Sequence, residues 1–415
     1  VRFRHGDGTT VHLAYCSNVH QAEDLDGVVR QLASHAEPVR EALGADLLGI
    51  GLWLARDVVT ELSARPGAVR RLRAELTARG LETVTLNAFP YEGFHREVVK
   101  KDVYLPDWTD PARLRYTVDC ARVLAGLLPD DARRGSVSTL PLAWRTPWPA
   151  GARDTARRAM DQLASQLGEL ERETGRTIRV GFEPEPGCVV ENTVQAAREL
   201  GGLDPERLGI CLDTCHLAVQ FENPAQALRR LADAGLPVVK VQASSALQAD
   251  DPADPAARRA LAGFAEPRFL HQTRTAPPGT GTGTDTGTGT DTDTRTVIGV
   301  DDLPDALAGG LDPGSPWRVH FHAPLHAAPE PPLSTTTTEL TVALRELLGG
   351  PRAVCDHVEV ETYTWSVLPE QLRPQDREGL VAGIAAELAW SRDRFGELGL
   401  VAAPGTARPR KEPVP

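Results

Sequence analysis

Short apolar runs rich in Val, Ile and Leu alternate along this chain with longer stretches whose apolar residues recur at helical spacing. The runs predict strands over 12–17, 47–54, 82–88, 135–140, 178–183, 208–213, 238–243 and 354–361. Between them, 21–43, 58–79 and 152–173 carry the Ala/Leu/Arg/Glu content and periodicity of amphipathic helices. Eight strands interleaved with helices predict an α/β fold, a (β/α)8 TIM barrel forming a single domain over 8–400. A doubly wound open sheet is the alternative. It would usually place a Gly-rich phosphate loop after the first strand, where this chain has Ser17-Asn18-Val19-His20. A further strand-like segment, Trp317-Arg-Val-His320-Phe-His322-Ala-Pro324, reads as part of an enlarged connection between the seventh and eighth strands. That connection is expected to hold an insertion at 246–316. Within it the Gly/Thr/Asp tract 273–296 has nothing to bury and is expected to be disordered, as is the Pro/Arg-rich tail 402–415.

The chain has 415 residues, 41% of them hydrophobic, enough for one large barrel with insertions or for two domains. A formal net charge of −12 repels phosphate backbones unless positive charge gathers on one face, so nucleic acid is not an expected partner. Six cysteines are too sparse for a disulfide framework, and most lie in or beside the apolar runs, which reads as buried thiols in a reducing compartment. Cys211 and Cys215 flank Asp213 without the spacing of a zinc knuckle. No apolar run is long enough to span a bilayer and no signal peptide is visible, although the chain begins at Val1 rather than Met; the expectation is a cytoplasmic protein.

The candidate chemistry lies at the ends of the later strands. Carboxylates stand in Val180-Gly-Phe-Glu183-Pro-Glu185-Pro-Gly187, in Gly209-Ile-Cys-Leu-Asp213-Thr-Cys-His216 and in His357-Val-Glu359-Val-Glu361. The run between the last two, Val238-Val-Lys240-Val-Gln242, ends in a polar amide. A parallel barrel brings such ends together on one face. Carboxylates gathered there repel one another, so a cation or shared protons must offset them. The combination predicts a divalent-metal site.

Strand parity alone leaves several choices open: Glu183 or Glu185, Lys240 or Gln242, His320 or His322. Glu361 is preferred to Glu359 because it is nearer the strand end; Glu359 could lie deeper and pair with Arg318 or another base. Each residue also has a plainer reading. The two glutamates could be surface carboxylates, Asp213 a helix cap supported by Thr214, and His216 a packed histidine. Lys240 could partly neutralise the carboxylates or polarise a carbonyl. Asn18, Asn87, Tyr91 and His95 could line the pocket, with Trp53, Trp144 and Trp365 as apolar walls. Tyr91-Glu-Gly-Phe-His95 reads as a mobile loop over the mouth.

These residues resemble the xylose-isomerase-like barrels, a superfamily that includes sugar epimerases, hydroxypyruvate isomerases and endonuclease-IV-type enzymes. The resemblance implies that strands five to eight supply the metal ligands, matched in order by Glu183, Asp213, Gln242 and Glu361, with Gln where His is usual. An Asp-x-x-His element matches at Asp213 and His216. A Glu-x-x-x-Gly element matches at Glu183 and Gly187, which favours Glu183 over Glu185. His320-Phe-His322 stands where the endonuclease type has Asp-x-His, but the full set of zinc histidines of that type is not evident. The ordered chain further resembles the Ebo-type metabolite traffic protein E family. The matching stretches include Tyr15-Cys-Ser-Asn-Val-His20, Asn87-Ala-Phe-Pro-Tyr91, Glu183-Pro-Glu-Pro-Gly187, Lys240-Val-Gln-Ala-Ser-Ser245, Glu266-Pro-Arg-Phe-Leu-His-Gln272 and Val360-Glu-Thr-Tyr-Thr-Trp365. This implies a bacterial operon in which the barrel accompanies a prenyltransferase-like membrane protein, with membrane association through that partner, and helps move or process a secondary-metabolite precursor.

Three functions follow as expectations. In the first, a divalent metal on Glu183, Asp213, Gln242 and Glu361 holds a hydroxy-carbonyl metabolite. Glu183 and Glu361 remove and return a proton, and His216 stabilises the oxyanion, giving isomerisation or epimerisation. Asn18, His95, Lys240, His322 and Trp365 would bind the substrate. All-oxygen ligation favours Mn²⁺ or Mg²⁺; recruitment of His216 or His322 shifts the preference to Zn²⁺. The second is a carrier that keeps the pocket without turnover, motivated by Gln242. The third, cleavage of abasic DNA, is opposed by the net charge.

Overall fold

The computed structural model of the protein describes residues 1–132, 134–277 and 296–403. Its centre is a closed barrel of eight parallel strands: β1 (Thr10–Cys16), β2 (Leu48–Trp53), β3 (Thr85–Asn87), β4 (Arg134–Thr139), β5 (Thr177–Phe182), β6 (Leu208–Asp213), β7 (Val238–Ala243) and β8 (His357–Val360). Neighbours pair in sequence order, and β8 closes on β1 with His357 opposite His12. β2, β6 and β7 are buried along their whole length, as strands packed on both faces must be, which is why they read as continuous apolar runs rather than alternating ones.

The helices lie between the strands. The expected helix over 58–79 is two, Arg56–Ala64 and Pro66–Ala78, because Pro66 has no N–H to continue the ladder and instead starts the second helix. The barrel interior holds one buried ion pair, Lys240 Nζ to Glu359 Oε2 at 2.6 Å, with Ser138 Oγ also accepting from Nζ at 3.1 Å. Space for the glutamate comes from β2: a Cβ on Gly51 would lie 1.3 Å from Glu359 Oε1. Glu359 thus lies deeper than Glu361, and its base is Lys240 rather than Arg318.

The connection from β7 to β8 folds into its own five-stranded antiparallel sheet, ordered Ile298–Val300, Thr273–Thr275, Trp317–Val319, Leu247–Ala249, Leu333–Thr335. The inserted unit therefore extends beyond the expected 246–316. Thr273–Thr275, at the start of the tract expected to be disordered, is a buried strand; the rest of that tract up to 295 lies outside the described residues. Val401–Ala402, at the start of the expected tail, pairs with the strand Arg2–Arg4; residues 404–415 also lie outside the described residues. Among the described residues no helix is long and apolar enough to cross a membrane.

Candidate functional site

The C-terminal ends of β5, β6 and β8 converge on three carboxylates. Glu183 and Glu361 each stand one residue past a strand, where their N–H groups still bond to the neighbouring strand end, Glu183 to Thr139 O at 3.0 Å and Glu361 to Ala243 O at 3.2 Å. Asp213 is the last residue of β6 and caps the short helix Thr214–Val219. Ligand oxygens of Glu183, Asp213 and Glu361 come within 4.8 Å of one another, and all three residues are buried.

Asp213 and Glu361 are each held at one oxygen. Asp213 Oδ1 accepts from the N–H of Cys215 (2.7 Å) and His216 (3.0 Å) and from Ser244 Oγ (2.7 Å). Glu361 Oε1 accepts from Asn18 Nδ2 (2.7 Å) and Asn87 Nδ2 (2.9 Å). By contrast, Asp213 Oδ2 and Glu183 Oε2 are buried with no hydrogen-bond partner. An unpartnered buried carboxylate oxygen is costly, and here two of them belong to one cluster.

Beside the carboxylates are three imidazoles. His216 lies on the short helix; His320 and His322 come from the insertion. The Nδ1 of each faces a carbonyl oxygen: His216 that of Pro184 (2.9 Å), His320 Oε1 of Gln272 (2.7 Å), His322 that of Glu361 (2.7 Å). A carbonyl only accepts, so each Nδ1 carries the proton and each Nε2 is a bare lone pair. Those lone pairs face one another, His216 to His320 at 3.0 Å and His320 to His322 at 3.3 Å. No hydrogen bond joins two acceptors. Asp213, His216 and His322 also form a group with ligand atoms within 4.8 Å. The arrangement fits a cation beside Asp213, with carboxylates on one side and imidazoles on the other.

The electrostatics agree. Burial, then the Glu361 and Asp213 charges, push Glu183 well above the usual carboxylate range; burial, Asp213 and Glu359 do the same to Glu361. Against the upward pull of burial, His216, His322 and the Ser244 hydroxyl hold Asp213 low. Burial lowers His216 to about 4 and also lowers His320 and His322, which keeps the imidazoles neutral, the form that ligates metal.

Above this floor is a cavity lined by Asn18, Asn87, Glu183, Glu185, His216, His320, His322 and Glu361 at its base and by Phe89, Phe94, Phe269 and Tyr363 at its mouth. The space open to water is about 50 Å³, room for only a few waters. Asn18 and His322, both expected to bind substrate, line this cavity.

Other expectations need correcting. The Gln242 oxygen accepts from the Cys211 thiol at 3.1 Å, away from the cavity lining, and the insertion brings imidazoles beside the carboxylates. Lys240 does not line the cavity, because Glu359 claims its ammonium inside the barrel. His95 lies behind the wall, its Nε2 bonded to Asn18 O at 2.8 Å and its ring against Trp53 and Phe94. Trp365 lines a separate apolar cavity with His326, Phe264 and Leu368, since it follows Tyr363 in a short turn that sends the two rings to opposite sides. His216 cannot donate to an oxyanion from its bare Nε2.

Sequence reasoning missed Tyr104, Gln272 and Ser244. Tyr104 bonds Glu185 Oε1 at 2.6 Å and accepts from Gln272 Nε2 at 3.0 Å, and Gln272 in turn fixes His320. Gln272 stood in a quoted motif, but nothing marked it as the partner of a histidine almost fifty residues away. Glu185 is pushed up to about 8, by burial first and then by the Asp213 charge.

No curated protein matches the chain. Among solved structures, it is similar to a putative sugar phosphate isomerase/epimerase from Anabaena variabilis at 13% identity, covering 94% of this chain and 99% of that one with a TM-score of 0.49. A probable 3-DHS dehydratase involved in petrobactin synthesis from Bacillus anthracis matches at 10% identity, over 92% and 99% of the two chains, with a TM-score of 0.41. The IolI protein with a binding zinc atom matches at 14% identity, over 93% and 99%, with a TM-score of 0.43. The family model described as xylose isomerase-like TIM barrel matches residues 39–287, more than half of the sequence, and the chain belongs to that family.

Proposed function

We propose that the protein is a metal-dependent isomerase or epimerase acting on a small hydroxy-carbonyl metabolite. The observation that carries this reading is the meeting of two free buried carboxylate oxygens with three proton-free imidazole nitrogens at the floor of one cavity. Glu183, Asp213 and Glu361 would hold a divalent cation, with His216 and His322 adjoining through Asp213. Nitrogen donors favour Zn²⁺; the carboxylates alone favour Mn²⁺ or Mg²⁺. Such an ion, when bound, polarises a substrate carbonyl. Asn18 and Asn87 fix Glu361 through one oxygen, so the carboxylate keeps a single orientation toward the cavity. Glu183 would take a proton from the carbon beside the carbonyl, and Glu361, protonated beforehand, would return one from the other side, so that the two carboxyls exchange protonation states over a turnover. The aromatic mouth excludes bulk water from the carbanion formed in between.

The ordered sequence stretches support placing the protein in the Ebo-type metabolite traffic group. There it would act on a secondary-metabolite precursor beside a prenyltransferase-like membrane protein, with no nucleic-acid partner. A carrier without turnover would use the same residues, and Gln242, bonded to the Cys211 thiol and absent from the cavity lining, favours it as the second reading. The test is metal content by elemental analysis, followed by deuterium uptake from D₂O into bound hydroxy-carbonyl compounds. We expect bound metal, lost in Asp213→Ala, and exchange, lost in Glu183→Gln/Glu361→Gln. Metal-independent binding with no exchange in the wild type leaves the carrier.

A further inference from the structure

The mouth of the cavity has its own chemistry. Phe94, Phe269 and Tyr363 come from three separate connections: the loop after β3, the insertion and the turn after β8. Their rings meet with centroids 5.1 Å (Phe94–Phe269), 5.4 Å (Phe94–Tyr363) and 5.0 Å (Phe269–Tyr363) apart. Phe89 extends this apolar wall inward toward Tyr104. A substrate in this cavity lies against their faces and edges.

Positive charge is scarce there. Lys100 is the only Lys or Arg lining the cavity among the described residues. Its ammonium is taken by Asp302 Oδ2 at 2.6 Å and by Phe269 O at 2.7 Å. Asn18 and Asn87 each give an amide N–H to Glu361, and Asn87 also gives one to Cys16 Sγ. A phosphate entering this cavity would meet one lysine, already paired with Asp302, and would face Glu183, Glu185 and Glu361.

We infer that the site takes an unphosphorylated, amphipathic substrate, with an oxygen-bearing head at the carboxylate floor and an aromatic or hydrocarbon body against Phe89, Phe94, Phe269 and Tyr363. The inference rests on the reading of the floor as the place that holds a hydroxy-carbonyl head. It excludes sugar phosphates as substrates and makes the ring cap the determinant of specificity.

The test uses three ketones with one shared head: hydroxyacetone, 2-hydroxyacetophenone and dihydroxyacetone phosphate. Their affinities for the full-length, metal-loaded protein are measured by calorimetry and ligand-observed NMR up to millimolar concentration. The phenyl ketone is expected to bind at least ~10-fold more tightly than the methyl ketone, and the phosphate to bind weakest. Phe269→Ala, and Phe94→Leu as a milder change, should erase the phenyl advantage, with the phenyl ketone losing more affinity than hydroxyacetone. A phosphate that binds as well as the phenyl ketone, or a phenyl ketone that does not bind, overturns the inference. The two readings fail separately. Phenyl preference that persists in Asp213→Ala with no metal dependence sinks the floor reading alone. Metal-dependent binding of all three in which the phosphate wins sinks the cap alone.

Discussion

Replacing Lys240 by Met tests whether this lysine belongs to the barrel core or to the chemistry. Lys240 and Glu359 have no solvent exposure, and their side chains meet at 2.6 Å. Removing the ammonium leaves a carboxylate enclosed by β2, β7 and β8 without its cation. A buried pair broken this way costs about 3–5 kcal/mol. Lys240→Met/Glu359→Gln, which removes both charges at nearly constant volume, should recover most of the stability. Urea denaturation of the three proteins at pH 7 measures this. A single variant within about 1 kcal/mol of wild type, or a double variant no more stable than the single one, refutes the reasoning.

Two further outcomes are expected. Asn18→Ala removes one of the two donors on Glu361 Oε1 and should weaken metal binding by about 10–100-fold in a competitive chelator titration; unchanged affinity would show that Glu361 is oriented by other means. Glu387, buried and pushed up to about 7 chiefly by burial, accepts from Thr362 Oγ1 and Leu325 N. Because its folded pKa is raised, the stability tied to its neutral form is complete below ~4.3 and is lost as pH rises through ~7. Unfolding free energies from pH 4.5 to 8 should fall by up to ~3 kcal/mol, and Glu387→Gln should flatten that fall; equal slopes would reject the assignment.

The barrel was legible because its strands are buried on both faces and its helices on one, so the two periodicities separate cleanly. Every barrel strand lies where the apolar runs placed it, within a few residues. The errors fall where a run cannot report a partner. The helix over 58–79 broke at Pro66, a local signal that the overall pattern hid. The inserted sheet was missed because its strands, such as Thr273–Thr275 and Leu333–Thr335, are three residues long and pair with segments far away in sequence. Lys240 and Gln242 share a strand face with the metal-site tips, and parity alone could not show that Glu359 and Cys211 already occupied them.

Asp213 shows why the plain and the functional reading of a strand-end carboxylate need not compete. Seen from the sequence, it is either a cap for the helix that follows or a ligand for a cation. A carboxylate has two oxygens, and the structure divides them. Oδ1 takes two backbone N–H groups and the Ser244 hydroxyl, which fixes the side chain and supplies fixed positive dipoles that favour its charged form. Oδ2 is left buried and unpartnered. Glu361 is likewise held at Oε1, by two amides in place of the helix. The cap is thus what makes the ligand usable: a carboxylate held at one oxygen loses no further freedom when the other is engaged. The same division explains the imidazoles, each anchored by Nδ1–H to a carbonyl with Nε2 left bare. The acceptors that converge here are anchored from behind, and what they converge on must bring positive charge.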